Sequence, residues 1–63
     1  MALYLICIID KAGDVSSSVV KESATDRAAM RLAEPFVTDR DVELWCDNRL
    51  VCTLHARRAS DEI

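Results

Sequence analysis

The chain has 63 residues, a net charge of −3 and a hydrophobic fraction of 51%. This length is enough for one small domain, which buries only about 60% of the surface that its unfolded chain exposes. Disulfides, a metal site or oligomerisation usually supplement so small a core. The eight Lys and Arg residues are scattered rather than clustered, so we expect no nucleic-acid partner.

The longest apolar run, residues 2–9, ends at Asp10 and is far shorter than the ~20 residues of a membrane-spanning helix. No Lys or Arg precedes this run, so it does not resemble a signal peptide. We therefore expect a cytoplasmic protein with no membrane partner. Cytosolic thiols stay reduced and three is an odd number, so we interpret Cys7, Cys46 and Cys52 as small core residues rather than disulfide partners.

The first third of the chain predicts a β-hairpin. Residues 2–9 are continuously apolar and rich in β-branched side chains, which favours a central strand buried on both faces. Asp10 and Gly13 occupy the positions expected for a three-residue loop with a glycine bulge. The second strand, residues 15–21, is diluted by three serines, which favours the edge of a sheet.

One helix follows. Ser23 is the predicted N-cap, and Asp26 lies in the first turn, where it complements the helix dipole. Helical spacing places five apolar residues on the side that should pack on the sheet: Ala28, Ala29, Leu32, Ala33 and Phe36. Pro35 should end the helix near Glu34, and residues 37–41 form a polar connection.

Residues 42–46 and 50–56 predict a second hairpin, with Asp47 and Asn48 in a type I′ turn. The charged residues 57–63 should be a frayed C-terminal tail. The sequence thus predicts one α+β domain, residues 1–56, of order ββαββ. Its four-stranded sheet is antiparallel or mixed and is covered on one face by the single helix; the strand orders 2-1-3-4 and 2-1-4-3 both remain open.

The loop length of the second hairpin decides which residues share a face. A two-residue loop pairs Trp45 with Leu50 and Leu44 with Val51. One side then carries Trp45, Leu50, Cys52 and Leu54, and the other carries Leu44, Cys46, Val51, Thr53 and His55. A three-residue loop would instead pair Leu44 with Cys52 and move Trp45 to the other face. In either register both sides carry large apolar residues.

A single helix covers only one face of a four-stranded sheet, so the other face should expose an apolar patch on the order of several hundred Å². We therefore predict a homodimer formed through this open face, or association of the same face with another protein. The predicted interface residues come from the first strand and the second hairpin: Leu5, Cys7, Leu44, Cys46, Val51, Thr53 and His55.

The residue types of catalytic and metal sites do not come together in this sequence. Cys52 and His55 are three residues apart on one strand and point to opposite faces, so with Cys46 they do not form a zinc site. His55 has no recognisable nucleophile beside it, and one glycine is too few for a phosphate-binding loop. We expect a non-enzymatic interaction module without a cofactor. The alternative is a ligand-binding protein or enzyme whose site forms between subunits, from Cys46, Thr53 and His55.

Two stretches carry a family resemblance: residues 3–13, with a Tyr-containing strand that ends in Asp and a Gly turn, and residues 41–51, with a Val-Glu-Leu-Trp hairpin followed by Arg-Leu-Val. With an Ala- and Arg-rich helix between them, they resemble a group of very short uncharacterised bacterial proteins. The chain departs from that pattern in its longer connection, residues 35–40, and in its apolar first strand. The resemblance implies a ββαββ fold and no particular activity.

Overall fold

The structure, a computed structural model, describes residues 1–56; the tail expected at residues 57–63 lies outside the described residues. The elements are β1 (Ala2–Ile9), β2 (Val15–Ser23), α1 (Asp26–Ala33), a 3₁₀ turn (Glu34–Phe36), β3 (Asp41–Cys46) and β4 (Arg49–Leu54). The strands form one sheet of order β2-β1-β3-β4, and every neighbouring pair is antiparallel. The predicted ββαββ fold is confirmed, and the open question of strand order is decided.

The first hairpin has the predicted three-residue loop. Gly13 has φ +89°, and its N–H donates to the Asp10 carbonyl at 3.0 Å. A left-handed conformation costs glycine little because it has no Cβ. The Asp10 carboxylate accepts from the N–H groups of Ala12 and Asp14, which fixes the turn. β1 is central and β2 lies at the edge, as expected, but β1 is not buried on both faces, since Leu3 and Leu5 are 60% and 38% exposed. β2 runs on to Ser23 rather than ending at Lys21.

The helix begins later than predicted, because Thr25 and not Ser23 is its N-cap. Thr25 has extended backbone angles, and its Oγ1 accepts from the Ala28 N–H at 3.1 Å. Ser23 instead ends β2, where it is buried and donates from its hydroxyl to the Thr25 carbonyl at 3.2 Å. α1 ends at Ala33, and Pro35 lies in the 3₁₀ turn that follows.

The core lies between α1 and one face of the sheet. Ala29 and Ala33 are 1% and 0% exposed, and their small side chains bring the helix close to the sheet. The largest fully buried side chains opposite them are Ile6, Val42 and Leu44. The predicted helix face is only partly right: Met30 packs against the core, whereas Ala28 and Leu32 are exposed.

A polar cluster joins the sheet to the start of the helix. The buried Tyr4 hydroxyl donates to Asp26 Oδ1 at 2.7 Å, and Arg49 donates to both oxygens of the same carboxylate at 3.1 and 3.3 Å. The hydrogen bond to Asp26 raises the pKa of Tyr4 to about 12. Hydrogen bonds from Arg49 and then Tyr4 hold the pKa of Asp26 below its usual value. One carboxylate therefore links β1, α1 and β4.

The second hairpin combines both registers left open by the sequence. Next to the turn, Cys46 pairs with Arg49 and Trp45 with Leu50, as in the two-residue loop. The register then shifts, so that Leu44 pairs with Cys52, as expected for the longer loop. Val51 is the extra residue at this bulge. The type I′ prediction is wrong, because that turn needs positive φ at both central residues and only Asp47 has it.

Candidate interaction surface

The face of the sheet opposite α1, here called the open face, carries a continuous line of apolar side chains. Leu5 pairs with Val20 on one side and with Trp45 on the other, and Trp45 pairs with Leu50. Directly opposed residues in an antiparallel sheet share a face. Val20, Leu5, Trp45 and Leu50 therefore form one row across all four strands, which we call the apolar row.

Much of the apolar row is accessible to solvent. Val20 is 59% exposed, Leu50 45% and Leu5 38%, while Trp45 is half-buried. Leu3 lies two residues from Leu5 on the same face and is 60% exposed. No helix or strand formed by residues 1–56 covers these side chains. An exposed apolar line of this length is typical of an interaction surface rather than of a face in contact with water.

A second row on the open face, the polar row, lies next to the first. It consists of Ser18, Cys7, Glu43 and Thr53, as the strand pairing shows. Cys7 is buried beneath its neighbours, and burial, followed by the nearby Glu43 charge, raises the pKa of its thiol. The Cys7 thiol is therefore held in its protonated form at neutral pH.

The charged side chains on the open face of the strands are acidic. Glu22 and Asp41 pair with Leu3 and Ile9, so both share this face with Glu43. The two basic residues of the strands lie on the helix side, since Lys21 pairs with Tyr4 and Arg49 with Cys46. The open face thus combines an apolar line with negative charge at its margins.

Trp45 and Glu43 are held together on this face. The indole Nε1 of Trp45 donates to Glu43 Oε1 at 3.1 Å. This bond satisfies the one polar group of the indole and leaves its apolar surface available for packing. A shallow concavity of about 350 Å³ lies beside the ring; its lining residues are Leu5, Cys7, Val15, Glu43, Trp45, Asp47 and Asn48.

The structure divides the predicted interface residues between the two faces. Leu5, Cys7 and Thr53 lie on the open face, and His55 is exposed just beyond β4. Leu44 and Cys46 do not belong to this surface; they are 0% and 8% exposed and lie in the core against α1. Val51, at the bulge, also packs against the core. These three residues are therefore corrected from the interface to the helix side.

Sequence reasoning missed most of the apolar row. Val20 was not singled out, and Trp45 and Leu50 were grouped with Cys52 and Leu54, which pack against the core. The first hairpin offered no usable signal for Val20: its loop alone would place Val19 opposite Leu5, and a bulge at Ser16 shifts the pairing so that Leu5 is opposite Val20. The second hairpin has the same difficulty, because its bulge at Val51 changes which residues share a face.

The described residues hold three free cysteines, Cys7, Cys46 and Cys52. Burial raises the pKa of Cys52 as it does that of Cys7. Within residues 1–56, no group of three His, Cys, Asp or Glu side chains is arranged to hold a metal ion. No helix in the same part of the chain has the length and apolar character needed to cross a membrane.

Comparison with known proteins gives no relative: no protein-family model, curated protein or solved structure matches the chain. The resemblance to very short bacterial ββαββ proteins stays a prediction.

Proposed function

We propose that this protein is a non-enzymatic interaction module that forms a homodimer by packing the open faces of two copies together. The observation that carries this proposal is the apolar row, which crosses the whole sheet and is covered by no element of residues 1–56. Packing a second sheet on this face would remove Val20, Leu5, Trp45 and Leu50 from water. The occupant is a second copy because a two-fold axis lets one face pack on the same face of another copy, which completes a core that one helix covers only on one side.

The size of the open face sets the expected strength of the dimer. Four strands about 4.8 Å apart, with about six residues each rising ~3.3 Å, give a face of roughly 19 by 20 Å. Two such faces in contact bury on the order of 800 Å², before the relief of the side chains is counted. This area lies below the roughly 1,200–2,000 Å² of stable interfaces and in the range of weak, transient ones, so we expect reversible dimerisation with a dissociation constant in the micromolar range.

Sedimentation equilibrium of the full chain over a range of micromolar concentrations tests the proposal. The wild type should be a dimer that dissociates on dilution, and Leu5→Glu should be a monomer because it places a charge in the apolar row. Leu32→Glu is the matched control: Leu32 is 41% exposed against 38% for Leu5, but it lies on α1. It should dimerise like the wild type. A wild-type protein that is monomeric throughout this range would overturn the proposal.

The second candidate function is ligand binding, or an enzyme site, formed between subunits, and the concavity beside Trp45 is the observation that favours it. Its apolar lining with Glu43 and Asp47 at the margin suits a small molecule with an apolar body and a cationic group. A thermal-shift screen against metals and metabolites separates the two functions. A simple interaction module should not respond, whereas a ligand-binding protein should gain stability with one chemical class. Cys46, buried on the other face, does not contribute to such a site.

A different protein could also occupy the open face, and the same sedimentation experiment addresses this alternative. A monomer at every concentration, with the apolar row intact, would favour a heterologous partner over a second copy. We further propose a cytoplasmic location, supported by the three free cysteines.

A further inference from the structure

We infer that the two copies are related by a two-fold axis that runs parallel to the strands, between β1 and β3. This inference rests on the proposed dimer and specifies its geometry. The axis places β1 over β3 of the second copy and β2 over β4 of the second copy. Leu5 then contacts Trp45 of the second copy, and Val20 contacts Leu50 of the second copy.

Two symmetric arrangements bring the apolar rows together with the strands aligned, as stacked sheets require. In the first, the axis runs across the strands, along the apolar row itself. Each residue of that row then meets its own copy, so Leu5 packs on Leu5 and Trp45 on Trp45. The second arrangement has its axis along the strands, and unlike residues of the row meet.

The acidic residues distinguish the two arrangements. With the axis across the strands, residues before and after Trp45 on β3 exchange places, and Glu43 lies over Asp47 of the second copy. Asp47 follows β3 in the turn and lines the same concavity as Glu43, so both residues border the open face. Symmetry makes two such pairs of like charge in one small interface, and each is unfavourable because binding removes water from both carboxylates.

With the axis along the strands, the polar row meets the polar row in a different order. Glu43 lies over Cys7 of the second copy, and Ser18 lies over Thr53 of the second copy. The Cys7 thiol is held protonated, since burial and then the nearby Glu43 charge raise its pKa, so no like charges are opposed. Asp41, at the next position along β3, faces Ile9 of the second copy.

Side-chain size favours the same axis. The half-buried Trp45 ring meets the smaller Leu5 of the second copy. It lies over the concavity that Leu5 and Cys7 of that copy help to line. Large residues over small ones interdigitate, whereas Trp45 over Trp45 would hold the sheets apart.

Cross-linking between introduced cysteines tests the axis with the full chain. The variants are Val20→Cys and Leu50→Cys, at positions 59% and 45% exposed, where the substitution leaves the core unchanged. Within one copy these positions are on opposite edges of the sheet, three strand spacings or ~14 Å apart. Facing sheets lie about 10 Å apart, beyond the ~7 Å that a disulfide spans between Cα atoms, so the thiols are joined with a short bis-maleimide. Each variant carries one introduced thiol, so a product that contains both variants forms only between copies.

Each variant is treated with the cross-linker alone, and the two reduced variants are also mixed, with one of them carrying a size tag, and treated together. Wild type treated in parallel gives the background from Cys7, Cys46 and Cys52. We expect a cross-linked species that contains both variants, several-fold above the products of either variant alone. Circular dichroism and sedimentation establish that each variant is folded and dimeric before cross-linking.

The remaining outcomes overturn the inference in distinguishable ways. If each variant cross-links mainly to itself, the axis runs across the strands, and the proposed dimer stands with a different geometry. If sedimentation gives a dimer and no mixture cross-links above the wild type, the copies associate through another surface. If the wild type sediments as a monomer, the proposed function fails together with the axis.

Discussion

Tyr4 and Asp26, 22 residues apart in the chain, are joined by a hydrogen bond of 2.7 Å from the phenol hydroxyl to Oδ1 of the carboxylate. Tyr4 belongs to the central strand and Asp26 is the first residue of α1. The bond therefore fixes where the helix starts on the sheet. Arg49 holds the same carboxylate from β4, at the sheet edge far from β2.

A double-mutant cycle with Tyr4→Phe and Asp26→Asn tests this link. Each single variant should lower the free energy of unfolding in urea. The double variant should lose less than the sum of the two, because the residues share one interaction. Tyr4→Phe keeps the buried ring, so its effect reports the hydroxyl. Strict additivity would show that the hydrogen bond does not couple the strand to the helix.

The same pair gives stability a characteristic dependence on pH. The pKa of Asp26 is lowered on folding, so its contribution is complete above its ordinary value of 3.8 and is lost as the pH falls through the folded pKa. The pKa of Tyr4 is raised from 10.0 to about 12, so its contribution is complete below pH ~10 and is lost as the pH rises towards 12. Urea unfolding across this range should show both losses.

Tyr4→Phe is the control for the alkaline part of that curve. The thiols of Cys7 and Cys52 also have raised pKa values, so their contribution to the stability of the fold is likewise lost as the pH rises. Only the difference between the wild type and Tyr4→Phe therefore reports the phenol. An identical alkaline decline in the two proteins would contradict the assignment.

Local rules predicted β1 and the first turn well, and they failed where a tertiary contact competes. Both Ser23 and Thr25 are good N-cap residues, and the sequence alone does not decide between them. Pairing of β2 with β1 continues to Ala2 and Ser23, which keeps Ser23 extended. The cap therefore moves to Thr25. The helix face was misjudged for a related reason, since an eight-residue helix is oriented by the sheet rather than by its own periodicity.

Cap substitutions check this reassignment. Thr25→Ala removes the acceptor for the Ala28 N–H and should cost about 1 kcal/mol in the free energy of unfolding. Thr25→Ser keeps an acceptor at the same position and should stay near the wild type. Thermal or urea unfolding measures both. A Thr25→Ala protein as stable as the wild type would show that the helix is not capped there.

The faces of the second hairpin were beyond the sequence for a different reason. A bulge at Val51 changes the pairing from Trp45 with Leu50 to Leu44 with Cys52, and both registers bury apolar residues. Hydrophobic pattern selects a register only where one side is polar. The sequence therefore indicated an open apolar face without specifying that Leu44 is in the core and Leu50 on the surface.

Alanine substitutions separate these two leucines. Leu44 is 0% exposed, and Leu44→Ala should cost about 2–5 kcal/mol, which removes most of the stability of so small a domain. Leu50→Ala should leave the unfolding of the dilute monomer nearly unchanged and weaken the dimer. Urea unfolding at low concentration and sedimentation equilibrium give the two readouts. Loss of folding in Leu50→Ala, with an intact dimer in Leu44→Ala, would reverse the assignment of faces.

Glu43 lies in the polar row, next to the apolar row, and its charge should limit how tightly two copies associate. In the wild type the Trp45 indole donates to Glu43 Oε1 at 3.1 Å. Glu43→Gln removes the charge but keeps an oxygen that can accept this hydrogen bond. Because packing a second copy removes water from this carboxylate, Glu43→Gln should dimerise several-fold more tightly than the wild type. Sedimentation equilibrium measures the change.

Glu34→Gln, at an exposed position beyond α1, is the matched control and should leave the dissociation constant unaltered. Equal tightening in both variants would mean that net charge, rather than the open face, governs association.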